Sequence, residues 1–118
     1  KFILSVNKCV EADPIEGGRW SRAYLQTTMK QINTDFEMNA AFLSAVATSP
    51  ELVKEMADEF NAMRDHINSD GLDSVKANIV RLAVDGLYYN QLYGIALSKD
   101  EQEKILPALL ALTYEERK

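Results

Sequence analysis

Residues 72–94 read LDSVKANIVRLAVDGLYYNQLYG, and this stretch decides the fold. Its spacing predicts one long helix. Leu72, Val75, Ile79, Leu82 and Gly86 follow one side at intervals of three and four. Val80, Ala83, Val84, Leu87 and Tyr88 widen that apolar stripe well past the arc a surface helix usually buries. Such a helix is covered on two sides, one by its own domain and the other by a second copy of the chain. Two residues interrupt the run. Asp85 sets a carboxylate beside the core, where it must be paired; Arg81 one turn earlier, or Arg22 from another helix, would serve. Gly86 lies in mid-helix at a cost of about 1 kcal/mol against Ala, and such a glycine usually marks the close approach of another backbone.

Working outward, Gly94 closes the long helix and Ser98-Lys99-Asp100-Glu101 is a capping box that starts another. That last helix, about 99–113, carries Ile105, Leu106, Leu109, Leu110 and Leu112, with Pro107 expected to kink or restart it. The two form an antiparallel hairpin. If the hairpin meets its twofold copy, four helices pack as an isologous bundle. Val80, Val84, Leu87, Tyr88, Ile105, Leu109 and Leu112 are its expected contacts.

On the other side, Ser49-Pro50-Glu51 is a strong helix start, with Ser as cap, Pro in the first turn and an acid near the amide dipoles. The helix it opens has the stripe Leu52, Met56, Phe60, Met63 and Ile67, and Asp70-Gly71 ends it. Earlier helices are expected at about 36–47, with Phe36, Met38, Phe42, Leu43 and Val46, and at about 19–32, with Trp20, Ala23, Tyr24, Met29 and Ile32 in a loose pattern. Residues 2–12 read as the end of a helix carrying Phe2, Ile3, Val6 and Val10, broken at Asp13-Pro14. No segment alternates as a strand does. The expected fold is all-α, with about six helices in one domain over 1–118.

Composition narrows function by exclusion. Net charge is -5, from 13 Lys and Arg against 18 Asp and Glu, and no basic block exists to neutralise phosphates. Cys9 is the only cysteine, so no intrachain disulfide forms, which fits a reducing cytosol. The apolar runs are too short to span a bilayer. The one histidine, His66, sits on a charged helix side and reads as a solvated rim residue. There is no Cys-x-x-Cys, no His-x-x-x-His, no Glu-x-x-His pair and no glycine-rich phosphate loop. Neither metal, cofactor nor enzymatic activity is expected.

What does accumulate is soft apolar and aromatic surface on interior faces. Ligand pockets are mostly apolar with a few placed polar groups, and methionine adapts to varied shapes. Trp20, Tyr24, Met29, Phe42, Met56, Phe60 and Met63 are therefore the candidate walls of a small-molecule site, with Asn78 and Asp85 as polar contacts. The plainer reading of each is core packing, and for Asp85 a structural ion pair.

The segment from Leu52 to Leu112 resembles the C-terminal half of tetracycline-repressor (TetR) type transcription regulators. The most specific piece is Leu82-Ala83-Val84-Asp85-Gly86-Leu87-Tyr88, which is similar to the family's alanine–x–aspartate–glycine–leucine–aromatic stretch in the penultimate helix. Arg19-Trp20-Ser21-Arg22-Ala23-Tyr24-Leu25 resembles the start of the family's fifth helix. The resemblance implies a cytoplasmic homodimeric repressor. Its last two helices would build the dimer, and a small apolar or aromatic effector would bind among the middle helices. DNA would be reached only through a helix-turn-helix domain expected before Lys1, since Phe2 and Ile3 start in mid-pattern with no cap. A helical protein–protein module without a small-molecule site is the alternative.

Overall fold

A computed structural model of the chain describes residues 2–34, 41, 44–92, 94, 95 and 97–114. The fold is all-helical. Five helices have described bounds: α1 Phe2–Ala12, α2 Arg19–Thr34, α3 Pro50–Asn68, α4 Ser74–Leu92 and α5 Lys99–Leu112. Residues 44–48 are helical as well and belong to the helix expected over 36–47. Phe36, Met38, Phe42, Leu43 and Tyr93 lie outside the described residues.

The local signals act where the sequence put them. The Ser49 hydroxyl accepts from the Leu52 amide at 3.3 Å, behind Pro50 in the first turn of α3. Ser98 and Glu101 close the capping box of α5. Gly94 ends α4 with φ near 80°, and the Ile95 amide reaches back to the Asn90 carbonyl at 3.0 Å. α5 runs through Pro107 to Leu112 as a single helix rather than restarting there. Pro107 and Glu103, whose carbonyl the missing N–H would have served, both lie on the exposed side of the helix.

α2 is the central helix. Ser21, Arg22, Ala23, Tyr24, Leu25, Thr27, Thr28 and Met29 are all buried, and Gln26 and Lys30, one turn apart, form its exposed line. That explains its loose apolar pattern, since a helix buried over most of its circumference has no single apolar face to mark. α1 and α4 pack on it most extensively. α2 and α4 run parallel: Tyr24 meets Asp85, and farther along both helices Gln91 Nε2 donates to the Ile32 carbonyl at 2.8 Å. At the opposite end Asp70, beyond its role in ending α3, caps α2 from a distance. Its carboxylate accepts from the Trp20 amide at 3.1 Å and the Ser21 amide at 3.4 Å.

Arg22 joins three chain segments at that end. It is fully buried. Its Nε donates to Asp13 at 2.6 Å, and its terminal nitrogens donate to the carbonyls of Ile15 at 2.6 Å, Gly17 at 2.8 Å and Thr113 at 2.8 Å. The guanidinium also lies over the Tyr114 ring, 4.3 Å from its centroid. Gly18, at φ near 80°, is required beside it, because a Cβ there would collide with the Thr113 carbonyl oxygen. With the start of α2 and the end of α5 held together, and Asp70 bringing the start of α4 to the same place, α5 runs antiparallel to α4.

Burial pushes the Asp13 carboxyl up, but the Arg22 bond, the Ile15 amide and the Arg22 and Arg19 charges outweigh it and hold the carboxyl below its ordinary range. A depressed carboxyl adds stability that is complete above the ordinary aspartate pKa and disappears as pH falls through the folded value. Asp13→Asn is therefore expected to be less stable than wild type near neutrality. The difference should shrink on acidification toward about pH 3, as measured by urea unfolding. A constant difference across that window would show that the charge of Asp13 contributes nothing.

α4 corrects the expectation about its own two sides. Val80 and Val84 are 0% exposed within one protomer, as is Ala77. Their side chains point into the core and leave nothing for a second copy to touch. Leu109 is buried as well, while Leu87, Tyr88, Ile105 and Leu112 are half-buried and packed against that core. The outward stripe is instead Val75, Ile79 and Leu82, exposed by 64%, 49% and 61%. Gly86 falls on this outward line, and a Cβ built there meets nothing within 4 Å.

Candidate functional site

The apolar stripe of α3 is packed at one end only. Met63 and Ile67 are buried, but Leu52 and Met56 are half-buried and Phe60 is exposed. In front of that unpacked half lies a cavity of about 660 Å³, within the range of small-molecule sites. Four helices wall it. α1 gives Phe2 and Ile3; α2 gives Tyr24, Thr28 and Gln31; α3 gives Leu52, Met56, Phe60 and Met63; α4 gives Arg81, Asp85, Tyr88 and Tyr89. Glu55, Glu59, Asn61 and Arg64, all exposed on α3, complete the lining.

Each wall follows from helical spacing. Tyr24, Thr28 and Gln31 repeat at four and three on α2, and Arg81, Asp85 and Tyr88 do the same on parallel α4, so two polar rows stand side by side. The Phe2 ring meets Tyr24 edge-on at 5.9 Å and Phe60 at 6.5 Å, which sets α1 as a lid joining α2 to α3.

Asp85 is the polar centre. The Tyr24 hydroxyl donates to its Oδ1, and Arg81 Nη1 lies 3.5 Å from Oδ2. Burial raises the Asp85 pKa above the ordinary carboxylate value, although the Tyr24 bond and the Arg81 charge pull the other way. Burial and the same carboxylate raise the Tyr24 hydroxyl. Tyr24 is thereby held as a neutral donor, and Tyr88 is also raised, by burial and by Tyr89. The ion pair expected for Asp85 thus comes from Arg81, while Arg22 is committed to Asp13.

Of the nine expected contacts, Tyr24, Met56, Phe60, Met63 and Asp85 line the cavity and Phe42 falls outside the described residues. Trp20 turns away and stacks on His66 at 4.1 Å, on the outside of α3. Its place on α2, one turn before Tyr24, puts it at the capped end rather than beside the cavity. Met29 is buried in the core, and Asn78 only accepts a long bond from Arg81 at 3.4 Å. Tyr88, expected at the dimer, lines the cavity. The sequence reading missed Phe2, Ile3 and Gln31 as contacts.

Among the described residues no group of three or more His, Cys, Asp or Glu could hold a metal ion, and no helix is long and apolar enough to cross a membrane. No curated protein and no solved structure matches the chain. The family model for the tetracyclin repressor-like C-terminal domain matches residues 18–114, from the glycine beside Arg22 to the tyrosine under its guanidinium. A match over most of the chain, on an all-helical fold, is decisive: the chain belongs to the tetracyclin repressor-like C-terminal domain family, the regulatory part of TetR-type regulators.

Proposed function

We propose that this domain is the effector-binding and dimerisation unit of a cytoplasmic TetR-like transcriptional repressor, and that its ligand is a small molecule held in the cavity between α1 and α4. One observation carries the ligand half: half of an amphipathic stripe, Leu52, Met56 and Phe60, lines a space of about 660 Å³ and stays half-buried or exposed among the described residues. The ligand would stand against Phe2 and Ile3, so filling the cavity shifts the position of α1 preferred by the domain. DNA contact belongs to a separate reader domain of such a regulator, which the acidic balance of this chain agrees with. No catalysis is assigned: the Tyr24 hydroxyl is held as a donor to Asp85.

Nile red, a neutral apolar fluorophore, tests the cavity directly. Saturable binding of one dye per chain is expected. At a hundred times its dissociation constant the dye should add about 2.7 kcal/mol to unfolding stability. Phe60→Ala should weaken the dye on the order of tenfold, yet leave the unliganded melting temperature close to wild type, since Phe60 is 41% exposed. Absence of saturable binding, or equal affinity in the variant, would remove the assignment of this cavity.

The exposed line Val75, Ile79 and Leu82 supports the dimer half of the proposal, and it would equally serve the alternative of a helical protein–protein module. The mass in solution separates them, as argued below.

A further inference from the structure

The cavity has an apolar side and a polar side, and the polar side is incompletely satisfied. Thr28 is 5% exposed, lines the cavity, and its hydroxyl has no hydrogen-bond partner among the described residues. A helical threonine usually returns its hydroxyl to a carbonyl one turn back; this one does not. Arg81 lines the same wall, and its Nε is also buried without a partner among the described residues. An unpaired buried donor costs about 1–3 kcal/mol, so two on one cavity wall mark places where something else completes them. Both atoms can donate, whereas only the hydroxyl can accept. The carboxylate between them already receives the Tyr24 hydroxyl and the Arg81 charge.

Charge narrows the class further. Inside the cavity Arg81 and Asp85 cancel. Glu55, Glu59 and Arg64 are exposed at its rim, where solvent screens them. The remaining inner wall, from Phe2 to Phe60 and Met63, is aromatic or soft apolar.

We infer that the ligand is a neutral, flat apolar molecule with an oxygen acceptor on one edge, such as an aryl ketone or a related carbonyl compound, and that Thr28 is the residue that selects it. Its flat body lies against Phe2, Phe60 and Met63. Its acceptor faces α2, where a turn about the Thr28 χ1 bond brings the hydroxyl to it. This rests on the reading of the cavity as an effector site, and adds to it the edge chemistry of the molecule.

A matched series sharing one ring system tests the inference by calorimetry on the full chain: a naphthyl methyl ketone, the isopropenylnaphthalene that replaces its carbonyl oxygen with CH2, naphthoate and naphthylethylamine. The ketone should bind about tenfold more tightly than the hydrocarbon, the value of one net hydrogen bond, and more tightly than either charged analogue. Thr28→Val keeps the shape and removes the hydroxyl. It should reduce the ketone's advantage to less than about twofold, with hydrocarbon affinity unchanged, while Thr28→Ser retains the preference. The unliganded Val variant should melt no lower than wild type, since it loses only an unpaired buried hydroxyl. Equal binding of ketone and hydrocarbon, tightest binding of a charged analogue, or a preference that survives in Thr28→Val overturns the inference while leaving the cavity assignment standing. If no member of the series binds and Nile red also fails, the cavity assignment falls and takes the inference with it.

Discussion

Arg22→Met is expected to destabilise the domain by about 3–5 kcal/mol, the usual result of removing one partner from a buried ionic network. On a domain of this size that lowers the melting temperature on the order of 10–20 °C. The methionine fits the space but donates nothing. The Asp13 carboxylate and the carbonyls of Ile15, Gly17 and Thr113 then lose their donor together. Arg22→Lys should recover only a minor part, because a single ammonium cannot reach four acceptors that a planar fork reaches at once. The cycle with Asp13→Asn isolates the ionic share. The double variant should be less destabilised than the sum of the singles, since the carboxylate abandoned by Arg22→Met is then absent. Thermal and urea unfolding give all of these values. A loss under about 1 kcal/mol for Arg22→Met would mean that water replaces the guanidinium at these carbonyls, and that the junction of α2 and α5 is held by apolar contacts instead.

How far the sequence spoke depended on the range of the interaction involved. Signals that act within one turn were legible: Ser49-Pro50 before α3, the Ser98 capping box, and the glycine that ends α4. So was the all-helical fold, because each helix announces its own period. What a period cannot supply is phase when apolar residues cover more than half the circumference. α4 shows this. Its apolar residues run along two sides, and Val80 and Val84 face inward, while Val75, Ile79 and Leu82 face outward. Nothing local distinguishes one valine from another. The same holds for contacts across long sequence separations. Asp70 reads as a helix stop but also caps α2 some fifty positions earlier, and Phe2 closes a cavity whose other walls lie on α2, α3 and α4. α2 misled for a different reason. A helix buried over most of its circumference carries polar residues that bond inward, as Arg22 does, so its pattern read as loose although it is the central one.

The domain should be a dimer in solution, and Leu82→Glu with Ile79→Glu should make it a monomer. Both residues are exposed in the protomer, by 61% and 49%, so folding alone should change little. In a twofold contact each introduced carboxylate meets its own copy in a desolvated seam, and like charges placed so cost several kcal/mol. Light scattering at a concentration where wild type is dimeric should report the protomer mass for the double variant, with an unchanged melting curve for the isolated fold. Leu109→Glu gives the contrast: Leu109 lies in the core, so that variant should unfold instead of dissociating. Gly86 permits a finer test, because two effects have opposite signs there. Within the protomer a Cβ at this position meets nothing within 4 Å, so Gly86→Ala should stabilise the helix by about 0.5–1 kcal/mol. If the glycine admits the backbone of a second copy, the same methyl group weakens association. A variant with a more stable protomer and a weaker dimer would identify the outward line of α4 as the shared seam. A wild-type chain that stays monomeric, or glutamates that leave the dimer intact, would instead assign that line to a different protein partner.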